Sequence, residues 1–386
     1  MLSPKTTTAV ALALLLAACG GSPAPRAGAS SSPSTSEASP SSSASASPSA
    51  GPSGVPGPAT LVHCSSAVPS GDNLVIGTVT GDNTVVVRDI QDPSHARNLC
   101  RFDAGAFSPQ FISASEVAYL TAAGQLIRAS LASSATSLIA STASGFASGL
   151  YSVSPDGRSV TYLSESVWHL VNASGDRVLT TLPPVPGRGV SPDEDDFFLS
   201  FSPDGKYIAL VQTFATGGTD GTAPDQVRRA TDGSLVFSTA GMTMGVWASL
   251  PSRLFFRDAP GSMRRWDATA GMTTMLPLHW IHPRSSPNGR WVAYTFRTSS
   301  GLGGIGFYGV QSNNVANTSP PGRSGARFLN NDLVWYIGEK ACSTCFGGLP
   351  APTGVTYIYS IASASEVVSR LTSVLDAWPH STSPGL

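Results

Sequence analysis

The side chains best suited to chemistry form a short list. Asp193, Glu194, Asp195 and Asp196 are four consecutive carboxylates, and Asp220 and Asp225 follow in a Gly- and Thr-containing stretch. Consecutive carboxylates cannot all turn toward one ion, so a solvated acidic loop is the leading expectation and a cation site or acidic rim the second. His282 and Arg284, with the aromatic residues Phe197, Phe198 and Trp247, could pair or stack with a ligand. Core packing is the leading expectation for the aromatics and ligand stacking the second. His279 and His282 stand at i and i+3, which on a strand places the rings on opposite faces and prevents a shared metal. No Gly-x-Ser-x-Gly elbow and no P-loop occurs, and Gly301-Leu302-Gly303-Gly304 reads as a hairpin loop with no helix after it. The expectation is no metal, no cofactor and no catalytic residue, and the reading leans away from an enzyme.

The composition is consistent with that. Charged residues are 12% of the 386, against roughly 25% in an ordinary soluble domain. A hydrophobic share of 41% is enough for a core, while 39 Gly and 30 Pro argue against coiled coils and long helices. A net charge of −1 lacks the basic excess of nucleic-acid binders.

The N-terminus carries Lys5 and then an apolar run, Ala9 to Ala18, of ten residues, which is a signal-type segment too short for a hydrocarbon layer of ~30 Å. It ends in Leu16-Ala17-Ala18-Cys19-Gly20, which resembles the lipobox of bacterial lipoproteins. The resemblance implies that residues 1–18 are a cleaved signal peptide. Cys19 then becomes an N-terminus acylated with palmitate-type chains and anchored on the extracytoplasmic face of a bacterial cell membrane, or on the outer membrane where there are two. Of the 40 residues from Gly20 to Ala59, 14 are Ser, 8 Pro, 8 Ala and 6 Gly. Such a segment cannot offset backbone ordering of roughly 1–2 kcal/mol per residue by burial. Residues 19–59 therefore read as a lipidated cysteine on a disordered tether, spanning ~38 Å if flexible and up to ~125 Å if extended.

With Cys19 set aside, Cys64, Cys100, Cys342 and Cys345 remain, an even number in an exported chain, and disulfides are expected. Three pairings are possible; the simplest joins Cys64 to Cys100 and Cys342 to Cys345. A redox or metal role for Cys342-Ser343-Thr344-Cys345 is the lesser expectation, because the following Phe-Gly-Gly-Leu-Pro cannot start a helix and no second C-x-x-C completes a four-cysteine site.

The elements that must position these residues repeat. Ser154-Pro155-Asp156-Gly157-Arg158-Ser159-Val160, Ser202-Pro203-Asp204-Gly205-Lys206-Tyr207-Ile208 and Ser286-Pro287-Asn288-Gly289-Arg290-Trp291-Val292 are near copies. Pro presets φ for a turn, Asp-Gly or Asn-Gly supplies positive φ, and alternating residues form a strand. Weaker copies of the strand extend the series to anchors at 74, 117, 160, 208, 254, 292 and 333, with a mean interval of about 43. That falls in the ~40–45-residue period of a four-stranded propeller blade. One unit divides into Leu150–Ser154, Ser159–Leu163, Val167–Asn172 and Arg177–Leu182.

The Ser-Pro-Asp-Gly-(Arg/Lys) string resembles the TolB-like β-propeller repeat, found also in the propeller halves of prolyl-oligopeptidase-type enzymes and in many exported bacterial proteins. Three units match it closely and four loosely. The expected fold is therefore all-β: one propeller over residues 60–380, of about seven four-stranded blades with six or eight as alternatives, and a tail at 381–386. The terminus that closes the ring is left open.

The Ser-Pro-Asp-Gly turns should share one face. The acidic run and the longer loops Phe214–Gln226, Arg297–Gly304 and Gly338–Gly354 should lie on the other, which makes that face the expected binding surface. Phe197, Phe198, Trp247, His282 and Arg284 are expected at the axial ends of the inner strands. The functional expectation is a monomeric, membrane-anchored, noncatalytic scaffold that binds another envelope protein, a peptide or a glycan. The alternative is a propeller lyase or hydrolase acting on glycan or peptide from the long-loop face.

Overall fold

The structure, a computed structural model, describes residues 59–379 except 66–72, 80–83, 92–96, 134, 142–150, 165–166, 183–196, 213–224, 240–241, 249–251, 259–260, 298–300 and 343–349. Residues 1–58, with the lipobox-like segment and Cys19, and Asp193 to Asp196, Asp220, Cys345 and residues 380–386 lie outside the described residues, as do the side chains of Phe197 and Phe198.

Among the described residues every regular element is a β-strand. Blade 1 holds β1 (Val62–Cys64), β2 (Leu74–Val79), β3 (Val85–Asp89) and β4 (Arg97–Phe102). Blade 2 is β5 (Ala106–Ser113), β6 (Glu116–Thr121), β7 (Gln125–Ser130) and β8 (Thr136–Ser141); blade 3 is β9 (Tyr151–Val153), β10 (Val160–Ser164), β11 (Val167–Asn172) and β12 (Gly175–Thr181). Blade 4 is β13 (Phe197–Phe201), β14 (Tyr207–Gln212), β15 (Asp225–Arg229) and β16 (Leu235–Thr239); blade 5 is β17 (Thr243–Ala248), β18 (Arg253–Arg257), β19 (Met263–Asp267) and β20 (Met272–Leu276). Blade 6 is β21 (Ile281–Ser285), β22 (Trp291–Arg297), β23 (Gly303–Gly309) and β24 (Asn314–Thr318). Blade 7 is β25 (Arg323–Phe328), β26 (Leu333–Lys340), β27 (Ala351–Ser360) and β28 (Ser365–Ser369), and β29 (Leu371–Trp378) ends the series.

The chain thus forms a seven-bladed propeller. Six sheets are consecutive antiparallel four-strand meanders, and the seventh runs β1-β4-β3-β2-β29. Both termini build blade 1: β29 pairs with β2 as its innermost strand, and β1 is added outside β4. Cys64 and Cys100 face each other in the β1–β4 register and are disulfide-bonded, which fastens that fifth strand to the rim. Cys342 is also disulfide-bonded.

All seven sequence anchors fall on the second strand of a blade, which is buried because it is flanked by strands within its sheet and by a blade on either side. Interblade cores are aromatic. Trp247, Trp266, Tyr207 and Phe237 pack between blades 4 and 5, and Trp280, Phe255, Tyr294 and Tyr308 between blades 5 and 6.

The Ser-Pro-Asp-Gly strings join first to second strands. In blade 3 the Gly157 N–H donates to the Ser154 carbonyl at 2.8 Å, the Ser154 hydroxyl to Asp156 Oδ1 at 2.6 Å, and the Ser159 N–H to Ser154 Oγ at 2.9 Å. Ser202/Asp204 and Ser286/Asn288 repeat the pattern. Only the glycines take positive φ, at 68°, 67° and 64°. The Asp-Gly and Asn-Gly pairs therefore form a type I turn closed by a glycine bulge, not a turn with two positive-φ residues as expected from the sequence. At Gly157 a Cβ would stand 2.7 Å from the Ile112 carbonyl oxygen of blade 2. Asp204 also accepts the Ser252 hydroxyl of blade 5 at 2.7 Å, so these turns tie neighbouring blades together.

Two expected loops are shorter than the sequence suggested. Strands β26 and β27 continue as far as the Lys340–Ala351 pair, and β22 and β23 as far as Arg297–Gly303. Gly303 and Gly304 are strand residues; a Cβ at Gly303 would collide with the Arg323 carbonyl oxygen and the Glu339 carboxylate, and one at Gly304 with the Phe296 ring. His279 precedes β21 and so does not share a strand with His282.

Candidate functional site

The innermost strands, taken around the axis, are β29, β5, β9, β13, β17, β21 and β25. One register position recurs on each, opposite the same point of the second strand. The residues there are Asp376 (opposite Ile76), Gln110 (Ala118), Ser152 (Thr161), Ser200 (Ala209), Val246 (Phe255), Arg284 (Ala293) and Arg327 (Trp335). Six of these seven are polar, although their strand neighbours Phe111, Tyr151, Leu199, Trp247 and Phe328 are buried apolar residues. Ser152 and Ser200 are buried and Gln110, Arg284, Arg327 and Asp376 half-buried; polar atoms shut off from water at a repeated position need partners, and part of the ring supplies them. Asp376 Oδ2 accepts the Phe111 N–H at 2.6 Å, and Gln110 Nε2 donates to the Tyr151 carbonyl at 3.0 Å. Each bond reaches to the next blade.

Blades 6 and 7 each place an arginine at this register position on adjacent inner strands, and the charge of Arg327 acts on Arg284. Local irregularities in both strands bring them there: the β21–β22 register shifts between Ile281 and Arg284, and the β25–β26 register between Ser324 and Arg327. His282 sits in the first shift at φ 46° and Gly325 in the second at 68°. Arg284 Nη1 donates to the Pro283 carbonyl at 3.0 Å. Arg284 Nε and Arg327 Nη1 are buried and make no hydrogen bond with any described residue. Burial, and then the charge of Arg327, hold the Arg284 guanidinium well below its ordinary pKa. Burial lowers Arg327 to about 10, against an opposing pull from Asp376.

His282 lies one step toward the face opposite the Ser-Pro-Asp-Gly turns. Its ring reaches water, yet partial burial and the charges of Arg284, Arg327 and Arg297 lower its pKa. Arg297 itself stands 3.7 Å from the Glu339 carboxylate. The described charges around the ring position are thus two guanidinium groups against one carboxylate, with a neutral imidazole above them at pH 7.

The other sequence candidates separate from this cluster. Trp247 is wholly buried between blades 4 and 5 and donates its indole N–H to the Ser200 carbonyl at 3.2 Å, so it is core and not ligand-facing. Asp225 is buried at the start of β15 and accepts the Met242 N–H of the connection to blade 5, which makes it a structural tie and not a rim carboxylate. No group of three or more His, Cys, Asp or Glu side chains among the described residues is arranged to hold a metal. Sequence reading reached His282 and Arg284 but missed Arg327, Asp376 and Gln110. The signal was the position two residues before each first turn, where Ser152, Ser200 and Arg284 already align in the three clear repeats.

No family model matches the chain, and no curated protein matches it in sequence. Solved structures that resemble its fold include a dihydro-heme d1 dehydrogenase NirN, 15% identical, covering 78% of this chain and 74% of that one with a TM-score of 0.45. An oligogalacturonate lyase from Vibrio parahaemolyticus is 12% identical over 77% and 84% of the two chains, at 0.48. TolB from Acinetobacter baumannii is 15% identical over 78% and 79%, at 0.40. These are likenesses of propeller architecture; the chain's own site is described by its polar axial ring.

Proposed function

We propose that the chain is an extracytoplasmic, lipid-anchored propeller that binds an envelope protein, peptide or glycan without transforming it, and that the axial end of blades 6 and 7 belongs to the binding surface. The observation that carries this reading is the polar ring with its adjacent Arg284 and Arg327. Charged donors shut off from water are retained against their desolvation cost where something compensates them, and a ligand group is one such compensation. The lipobox-like Leu16-Ala17-Ala18-Cys19-Gly20 and the Ser/Pro-rich segment after it support attachment at a distance from the membrane.

A second reading, a lyase or hydrolase on glycan or peptide, is favoured by one feature. His282 is held neutral at pH 7 beside arginines that would stabilise a developing negative charge, the pairing a general base needs. Crosslinking of the intact protein in its own cells, followed by identification of captured species, tests the first reading against a turnover screen of glycans and peptides. Specific capture without turnover is expected. Turnover that disappears in His282→Ala would replace the scaffold by the enzyme. Intact-mass measurement tests the anchor: a chain beginning at Cys19 with added acyl mass is expected, and one without that mass removes it.

A further inference from the structure

We propose that Arg284 and Arg327 form a binding site for a compact oxyanion, a carboxylate or phosphate group, at the axis of the propeller. The inference deepens the binding reading by naming the chemistry recognised, and it is independent of the anchor.

Three observations carry it. First, the two arginines occupy the same register position on adjacent innermost strands, so their side chains leave the backbone at one level, close enough for the charge of Arg327 to act on Arg284. Second, Arg284 Nε and Arg327 Nη1 are donors removed from water with no acceptor among the described residues. The other polar members of the ring behave differently, since Asp376 and Gln110 reach acceptors or donors of the next blade. Third, the one described carboxylate at this level, Asp376, already accepts a backbone N–H and balances only one of the two cations. Guanidinium donors lie in a planar fork that matches the oxygens of a carboxylate or phosphate. A bound oxyanion would accept from both forks, remove the repulsion between them and satisfy the two buried donors together. Burial depresses the basicity of both groups, and the charge of Arg327 lowers that of Arg284 further. His282, on the solvent side of Arg284, marks the direction of entry.

The test uses the full chain in phosphate-free buffer at constant ionic strength, with its melting temperature followed while sodium phosphate or sodium acetate replaces sodium chloride. Ligands that bind only the folded state raise the melting temperature by mass action. A saturable rise with phosphate, acetate or both is expected at millimolar anion, and whichever salt acts identifies the group recognised. Arg284→Met and Arg327→Met should each abolish that rise while starting from a melting temperature at or above that of the native chain. Arg101→Met, at an exposed position of β4 three strands from the axis, should leave the rise intact. Should a methionine variant fail to fold, Arg327→Lys keeps the charge but loses the fork, and its half-saturation should move to roughly tenfold higher anion. No rise beyond that of sodium chloride, or a rise that survives loss of either arginine, overturns the proposal. Absence of any captured partner with the anion response intact would instead remove the scaffold reading and leave the anion site standing.

Discussion

Arg323 and Arg327 leave the same strand, β25, four residues apart, and the fold treats them in opposite ways. Arg323 is matched across its blade. Its guanidinium makes two hydrogen bonds to Glu366 of β28, at 2.6 and 3.2 Å, and lies over the Tyr357 ring of β27 at 3.9 Å. The Tyr336 hydroxyl of β26 donates to the same carboxylate at 2.6 Å. One network thereby ties the inner, second, third and outer strands of blade 7. Arg327 occupies the axial ring position next to that of a second arginine, Arg284. Burial opposes the charge of Arg323, but the Glu366 bonds outweigh it and raise its pKa, whereas burial lowers that of Arg327. Two cations on one strand thus show what a structural arginine and a binding arginine look like in the same fold: the first has its acceptors inside the blade, the second has donors left over.

Removing the acceptor from the structural arginine should produce the largest effect. Glu366→Ala strands Arg323 and the Tyr336 hydroxyl together. The ion-pair side chains are 14% and 21% exposed, so some water can reach them, and the loss should fall at the low end for a broken buried pair, about 3 kcal/mol. Urea unfolding at pH 7 measures it. A loss below about 1 kcal/mol would mean that Arg323 is no better matched than Arg327, and the distinction between them would fail.

The axial pair should respond with the opposite sign. Replacing one half-buried, like-charged guanidinium by methionine removes a desolvation cost, and in anion-free buffer Arg284→Met or Arg327→Met should each stabilise the chain by about 1 kcal/mol. The two gains should not add, because either substitution already relieves the mutual repulsion. The double variant should fall short of the sum by about 1 kcal/mol. Additive or destabilising effects would show that the arginines do not share one site.

What could be read in advance follows from where the information lies along the chain. Ser154-Pro155-Asp156-Gly157 and its copies state their own structure, because Pro, the short polar side chain and Gly fix a turn within a few residues. The blade period follows from counting such turns, so the propeller was legible. The pairing of Cys64 with Cys100 was legible as the simplest of three choices. Arg327 was not, because its turn runs from Leu329 to Leu333 without that string and is one residue shorter than that of Arg284: Arg327 pairs with Trp335 and Arg284 with Ala293. Asp376 was hidden for a different reason. It belongs to the closing strand β29, whose neighbours β2 and β5 lie at the other end of the chain; its own partner, Phe111, is 265 residues away. Trp247 and Asp225 looked available because composition cannot tell an interblade core from a ligand-facing position when both border the inner strands.

The smallest effect separates the two regions by pH. His282 is lowered from the ordinary histidine value of 6.5, by burial first and then by Arg284, Arg327 and Arg297, with Asp376 and Glu339 the described carboxylates nearest those arginines. Below 6.5 the unfolded chain takes up that proton before the folded one, so stability from this region is fully present above 6.5 and declines as the pH falls through the lowered value. Glu366 is half-buried, which by itself would raise its pKa, but bonds from Arg323 and Tyr336 hold it below the ordinary 4.5. Its contribution is therefore retained through the histidine window and lost only as the pH falls below 4.5 toward its folded value. Unfolding free energies of His282→Gln should flatten the first window and leave the second; those of Glu366→Gln should do the reverse. Phosphate bound between the arginines would cancel the charge that depresses His282, so histidine-selective NMR should find its pKa displaced back toward 6.5 in phosphate but not in chloride. An imidazole indifferent to the salt that raises the melting temperature would place the anion away from the axis, and with it the difference between Arg323 and Arg327 would be one of packing alone.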